Sequence, residues 1–179
     1  MSWNQRYPIA VDFSDGAAPT AVQFTTAHGV PAVRAGVRHE AATPSASNVS
    51  EDDQVAFVRS VVRNPLFKGR SIALLPPQQT ILTYPLYVTL TKEEPLEAAI
   101  VREARDALDM PIEEAVLDYI SVLPDPSEPD RARQILLVVM RRTDVQKQEE
   151  IISRAGGVLE SMEPAVAALL RVHAACETP

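Results

Sequence analysis

Ser71 to Leu75 read SIALL, and the run closes on Pro76-Pro77. A strand with one wet face alternates apolar and polar residues. An unbroken apolar run this short, bounded by prolines, fits a strand buried on both faces, which requires helices on the two sides of its sheet. The remainder of the chain must therefore supply helices as well as strands. With 46% hydrophobic residues among 179, it can bury a core of that size.

The segments around SIALL meet the requirement. Ile9 to Phe13, Thr20 to Thr26 and Val30 to Arg38 read as strands of an antiparallel meander, with Gly29 and Pro31 marking a turn. The stretch HEAATPSASNVS, from His39 to Ser50, reads as a loop. In EDDQVAFVRSVV, Val55, Val58 and Val62 fall at helical spacing behind an acidic first turn, and the helix stops by Asn64 before Pro65.

After the prolines the pattern alternates. TILTYPLYVTL places Leu82, Tyr84, Leu86, Val88 and Leu90 on one face, and Pro85 makes it an edge or bent strand. Thr91 with Glu94 forms a capping-box pattern ahead of a helix whose stripe is Leu96, Ile100, Ala104, Ala107 and Leu108. AVLDYISVL and QILLVVM follow as a hairpin joined by PDPSEPDRAR. Thr143 with Gln146 opens a helix to Ala155, stopped by Gly156-Gly157. VLESMEP is a short strand and AVAALLRVHAACE a final helix. The order is β-β-β-α-β, then β-α-β-β-α, then β-α, so the middle block reads as an insertion into one sheet domain.

Composition removes several functions. A net charge of −7 argues against nucleic-acid binding, which gathers basic residues against phosphates; the only basic cluster is Arg141-Arg142, at the end of a strand. The single cysteine, Cys176, excludes an internal disulfide framework and a Cys-rich metal site, and suits a reducing compartment. His28, His39 and His173 lack ligand spacing. No apolar run approaches the roughly 18 residues of a membrane span, and MSWNQRYP has no apolar signal core, so a cytoplasmic protein without direct membrane insertion is expected. The carboxylate pairs Glu93-Glu94, Glu113-Glu114 and Glu149-Glu150 are adjacent in sequence and do not face each other on a helix. No Walker loop, HExxH or Ser-His-Asp set in motif context is present.

Several stretches carry a resemblance: IAVDFSDGAAPTAVQF, GRSIALLPPQQTILTYPLYVTLTKEEPLEAAIVREARDAL, MPIEEAVLDYISVL, QILLVVMRRTDVQKQEEIISRAGG and VLESMEPAVAALLRV. Together, from about Ile9 to Val172, they resemble the PilM family, the actin-like proteins of type IV pilus assembly, and more distantly the cell-division protein FtsA. The Pro-Ile-Glu-Glu turn before a Leu-Asp-Tyr strand is the most specific of them. The resemblance implies an α/β (mixed α+β) fold: an actin-like, RNase H-type subdomain over 1–82 and 156–179, carrying an inserted β-α-β-β-α subdomain of SHS2 type over 83–155. The likeness covers the first of the two RNase H-like halves between which actin-like proteins close a nucleotide.

It also marks Asp12, Ser14, Asp15 and Gly16 as the position of the family's phosphate loop, in degenerate form. The family pattern runs Asp, apolar, Gly, two or three Ser or Thr, apolar, Lys. Here Ser14 replaces the Gly, Asp15 adds a negative charge, Pro19 has no amide, and no Lys precedes Ala21-Val22-Gln23. A phosphate cradle needs closely approaching amides and a cation. A remnant loop is expected, with no cofactor, and ATP with magnesium binding only if a second half completes the site.

The family likeness implies a non-catalytic cytoplasmic scaffold at the inner-membrane face. Its partner is the cytoplasmic N-terminal segment of a bitopic inner-membrane assembly protein, held in a groove between the sheet domain and the insert. The residues this singles out are Tyr84, Leu86, Ile100 and Glu103, each of which also suits a plain core or helix-face role. Half of an actin-like ATPase is the alternative. Filament-forming relatives admit self-association, which no stripe in this sequence specifies.

Overall fold

The computed structural model describes residues 7–14, 18–27, 30–39, 49–91, 94–124 and 132–169. Asp15, Gly16, His28, Glu93, His173 and Cys176 lie outside them, as does the final helix beyond its described part, 165–169. The chain divides into two compact units, Met1–Gln78 with Lys147–Pro179, and Gln79–Gln146.

In the first unit, β1 (Ile9–Asp12), β2 (Thr20–Ala27) and β3 (Val30–Arg38) form the expected antiparallel meander. β4 (Ser71–Leu75) pairs parallel with β1, and β8 (Val158–Met162) pairs parallel with β4. The sheet order is β3-β2-β1-β4-β8, the arrangement of an RNase H-type half. In β4, Ile72 and Leu74 are fully buried, and Ser71, Ala73 and Leu75 on the opposite face are half-buried. The SIALL strand is thus shielded on both faces, more completely on one. Its closed face meets Ile9, Val11, Val58, Val61, Ile151 and Ile152 in one apolar core.

Helix α1 (Glu51–Arg63) starts where its cap chemistry dictates. The Ser50 hydroxyl accepts from the Asp53 N–H at 3.2 Å and donates to the Asp53 carboxylate at 2.6 Å, an N-cap that contributes about 1 kcal/mol. Asn64, ahead of Pro65, ends it as expected. Its first-turn carboxylates meet α3 (Arg142–Arg154): Lys147 reaches Glu51 at 2.6 Å and Arg154 reaches Asp52 at 3.1 Å. Both pairs are solvent-exposed and orient the helices more than they stabilise them.

The start of α3 differs from the sequence expectation. The Thr143/Gln146 pattern predicts a cap, yet the helix begins at Arg142, directly after β7 (Ala132–Arg141). Its end follows the sequence: Gly156 has φ 85°, its N–H donates to the Ser153 carbonyl, and the Gly157 N–H donates to the Ile152 carbonyl, which completes a Schellman motif. A Cβ on Gly156 would meet nothing within 4 Å, so the cost of adding one is purely that of the left-handed backbone. Gly156→Ala is expected to lower the stability of this unit by about 1 kcal/mol, read as a shift in urea midpoint at constant slope.

In the second unit, β5 (Ile81–Thr89), β7 and β6 (Ala115–Pro124) form an antiparallel sheet in the order β5-β7-β6. Pro85 lies on an edge strand, as a residue without an amide hydrogen should. The central strand β7 buries Ile135, Leu137 and Val139 on one face and also Val138 and Met140 on the other. Helix α2 (Leu96–Ala107) covers the first of these faces with Ala99, Ile100 and Ala104. The Thr91–Glu94 pair forms, with the Thr91 hydroxyl donating to Glu94 at 2.8 Å, but as a turn upstream of the helix. Pro95 holds the N-cap position without a side-chain bond, so the expected capping box does not cap α2.

The insert was expected over 83–155; the units instead divide after Gln78 and after Gln146. The physical reason is on α3, whose Ile151 and Ile152, followed by Ala155, are buried in the core of the first unit.

Candidate functional site

β1 ends at Asp12; the Phe13 N–H makes one more bond, to the Leu75 carbonyl at 2.8 Å, before the chain turns at Ser14. The Asp12 carboxylate then folds onto its own loop: Oδ1 accepts from the Ser14 N–H at 2.8 Å and from the Ser14 hydroxyl at 2.6 Å. This is an Asx-type turn, a local substitute for backbone pairing. Two of the four residues expected at the phosphate position are therefore engaged with each other, and the other two, Asp15 and Gly16, lie outside the described residues.

Tyr84, Leu86 and Ile100 come together in the second unit. Ile100 is 3% exposed within the apolar core, and Tyr84 and Leu86 are half-buried against it. Glu103 stands half-buried on α2, paired with Arg102 Nη1 at 2.5 Å. Arg102 also donates to the Thr89 carbonyl at 2.9 Å and to Glu94 at 3.2 Å, which ties the end of β5 to the helix. The Arg102 guanidinium, with the Thr91 hydroxyl second, holds the Glu94 carboxyl below its ordinary range.

The structure adds a feature that those four residues do not define. Between α2 and β6 lies a groove of about 150 Å³ lined by the apolar residues Ile100, Val101, Leu117, Tyr119 and Leu137, and bordered by Glu97 on α2 and by the strand at Asp118. Of these, only Ile100 was singled out by sequence. The signal was present in LDYI: a charged residue in mid-strand marks a sheet edge.

A second cleft, of about 170 Å³, is polar and lined by Glu113, Glu114, Arg141, Arg142, Thr143 and Gln146. Arg142 donates to the carbonyls of Glu113 and Ala115 at 3.3 Å, so it serves the local backbone, and the neighbouring carboxylates balance the charge of the arginine pair. Among the described residues no group of three or more His, Cys, Asp or Glu could hold a metal, and no helix is long and apolar enough to cross a membrane.

Comparison with solved structures finds the same architecture in a PilM-PilN type IV pilus biogenesis complex, at TM-score 0.73 and 19% identity over 94% of this chain and 51% of that one. The cytoplasmic domain of EpsL, an inner-membrane component of the type II secretion system of Vibrio cholerae, matches at TM-score 0.56 and 13% identity, over 87% of this chain and 56% of that one. The fold is the actin-like ATPase fold, and the chain spans about half the length of each of these two structures. Comparison with curated proteins gives no match. The model of the type IV pilus assembly protein PilM matches residues 33–174, most of the sequence, and the chain belongs to that family.

Proposed function

We propose that this chain is a cytoplasmic scaffold of pilus or secretion assembly, recruited to the inner-membrane face by docking the cytoplasmic segment of a membrane partner, and that it does so without hydrolysing nucleotide. The observation that carries the second clause is the closed Asp12–Ser14 turn. A phosphate cradle presents free amides and a cation; this loop spends the Ser14 amide on its own carboxylate and offers no lysine. The first clause draws on the family, and on likeness to a structure that contains PilN and to one from an inner-membrane secretion component.

Calorimetric titration tests both clauses. Mg-ATP is expected to give no binding heat, in the wild type and in Asp12→Ala alike. A peptide of the partner's cytoplasmic N-terminus is expected to bind with micromolar affinity, as docked short segments do. Binding of ATP that Asp12→Ala abolishes would restore the loop as a nucleotide site. Because the chain spans half of its solved neighbours, a second reading keeps it as one half of a nucleotide switch. ATP binding that appears only when a second-half polypeptide is added would establish that reading.

A further inference from the structure

We infer that the groove between α2 and β6 takes an extended segment of a partner protein, alternately apolar and basic, which adds to β6 as a further strand. The inference deepens the docking reading above and rests on it.

Among the described residues β6 pairs with β7 on one side only. The Asp118 carboxylate accepts from the Tyr119 N–H at 2.8 Å, so that amide is outside the β7 ladder and faces the open edge. Antiparallel alternation turns the backbone groups of Leu117 and Ala115 the same way. The Ala115 N–H, which donates to the Ile112 carbonyl instead of to β7, fits that direction. Leu117 thus offers a donor and an acceptor at the edge, and Tyr119 an acceptor, with the Tyr119 donor held by Asp118.

The side chains specify what pairs there. Leu117 and Tyr119 share the α2 face with Val101, which is 38% exposed, and line a groove deep enough for an aliphatic side chain. Asp118 belongs to the opposite face by the alternation of the strand. A paired segment therefore presents apolar residues toward Val101 and cations toward Asp118, with Glu97 at the helix side of the groove. Among the described residues neither Glu97 nor Asp118 has a basic partner within ion-pair distance. A Lys or Arg that draws the Asp118 carboxylate to itself also releases the Tyr119 amide for the incoming carbonyl. A neutral strand leaves that carboxylate in place, which protects the edge against indiscriminate pairing.

The probe is a blocked, fluorescent peptide alternating valine and lysine, titrated against the full chain by anisotropy. Saturable binding is expected, weakened about tenfold by Val101→Glu and by Asp118→Lys, a change of about 1.4 kcal/mol each. Asp118→Lys is expected to acquire binding of the valine–glutamate peptide, and N-methylation of the peptide amides to abolish binding. Both substitutions are at exposed positions, and unchanged melting curves confirm that each variant folds.

Equal binding of both peptides to the wild type, or insensitivity to both variants, overturns the inference. So does a dimer of this chain that Val101→Glu dissociates, because a second copy would then occupy the groove. The partner's cytoplasmic segment is titrated in parallel. If it binds the wild type and both variants equally, docking stands and this groove is not its place. If it fails to bind while the valine–lysine peptide binds as expected, the groove stands and the docking reading falls.

Discussion

Gln23→Leu is expected to remove about 2 kcal/mol from the stability of the first unit, since it takes the partner from three part-buried backbone groups, each hydrogen bond contributing about 0.5–1 kcal/mol. Gln23 is 2% exposed in β2. Its amide nitrogen donates to the Tyr7 carbonyl at 3.0 Å and to the Lys68 carbonyl at 2.8 Å, and its amide oxygen accepts from the Lys68 N–H at 2.8 Å. Both donors and the acceptor are used, so one side chain on β2 ties down the approach to its neighbour β1 and the approach to β4, the strand beyond it. Leucine fills the volume and supplies none of the bonds. Gln23→Glu is expected to be worse, because it sets a carboxylate against two carbonyls in a buried site. Urea unfolding measures both; a loss under 1 kcal/mol for Gln23→Leu would mean that water replaces the amide.

Nothing in the sequence singles out Gln23, because its three partners lie 16 and 45 residues away. Features whose causes are local were legible. Pro85 marked β5 as an edge, and Gly156-Gly157 marked the end of α3. QILLVVM, apolar on both faces, became the central strand of its sheet, whereas LDYI, where Asp118 breaks the apolar run with a charge on one face, became the other edge. Two cap patterns misled for a shared reason. Thr91–Glu94 and Thr143–Gln146 have the right spacing, but where a helix begins also depends on the strand before it and on Pro95, which takes the N-cap position itself. The unit boundary failed differently: periodicity identifies Ile151 and Ile152 as buried without saying in which core. At the loop, the missing lysine and glycine were visible in sequence, while the Asp12–Ser14 bond that closes it needed coordinates.

Ile100→Ala is expected to lower the stability of the second unit by about 3 kcal/mol, the usual cost of emptying a buried aliphatic site. The size of that loss against the whole makes it decisive. The unit runs from Gln79 to Gln146, and a single core of that size rarely holds more than about 3–5 kcal/mol. Ile100 belongs with Ala99, Ala104, Ile135, Leu137 and Val139 to the apolar cluster formed by α2 and the three strands among the described residues. Truncating it leaves the helix held mainly by Leu96, Leu108 and the Arg102 network, and the unit is expected to be partly unfolded at ambient temperature. A partner peptide that no longer binds Ile100→Ala therefore reports lost structure, and amide exchange in α2 accelerating together with the loss is the sign of it. Val101→Glu, one residue along the same helix on its exposed side, is the informative comparison. It is expected to leave exchange unchanged while altering only what sits in the groove, so the contrast between adjacent positions separates a core residue from a contact residue.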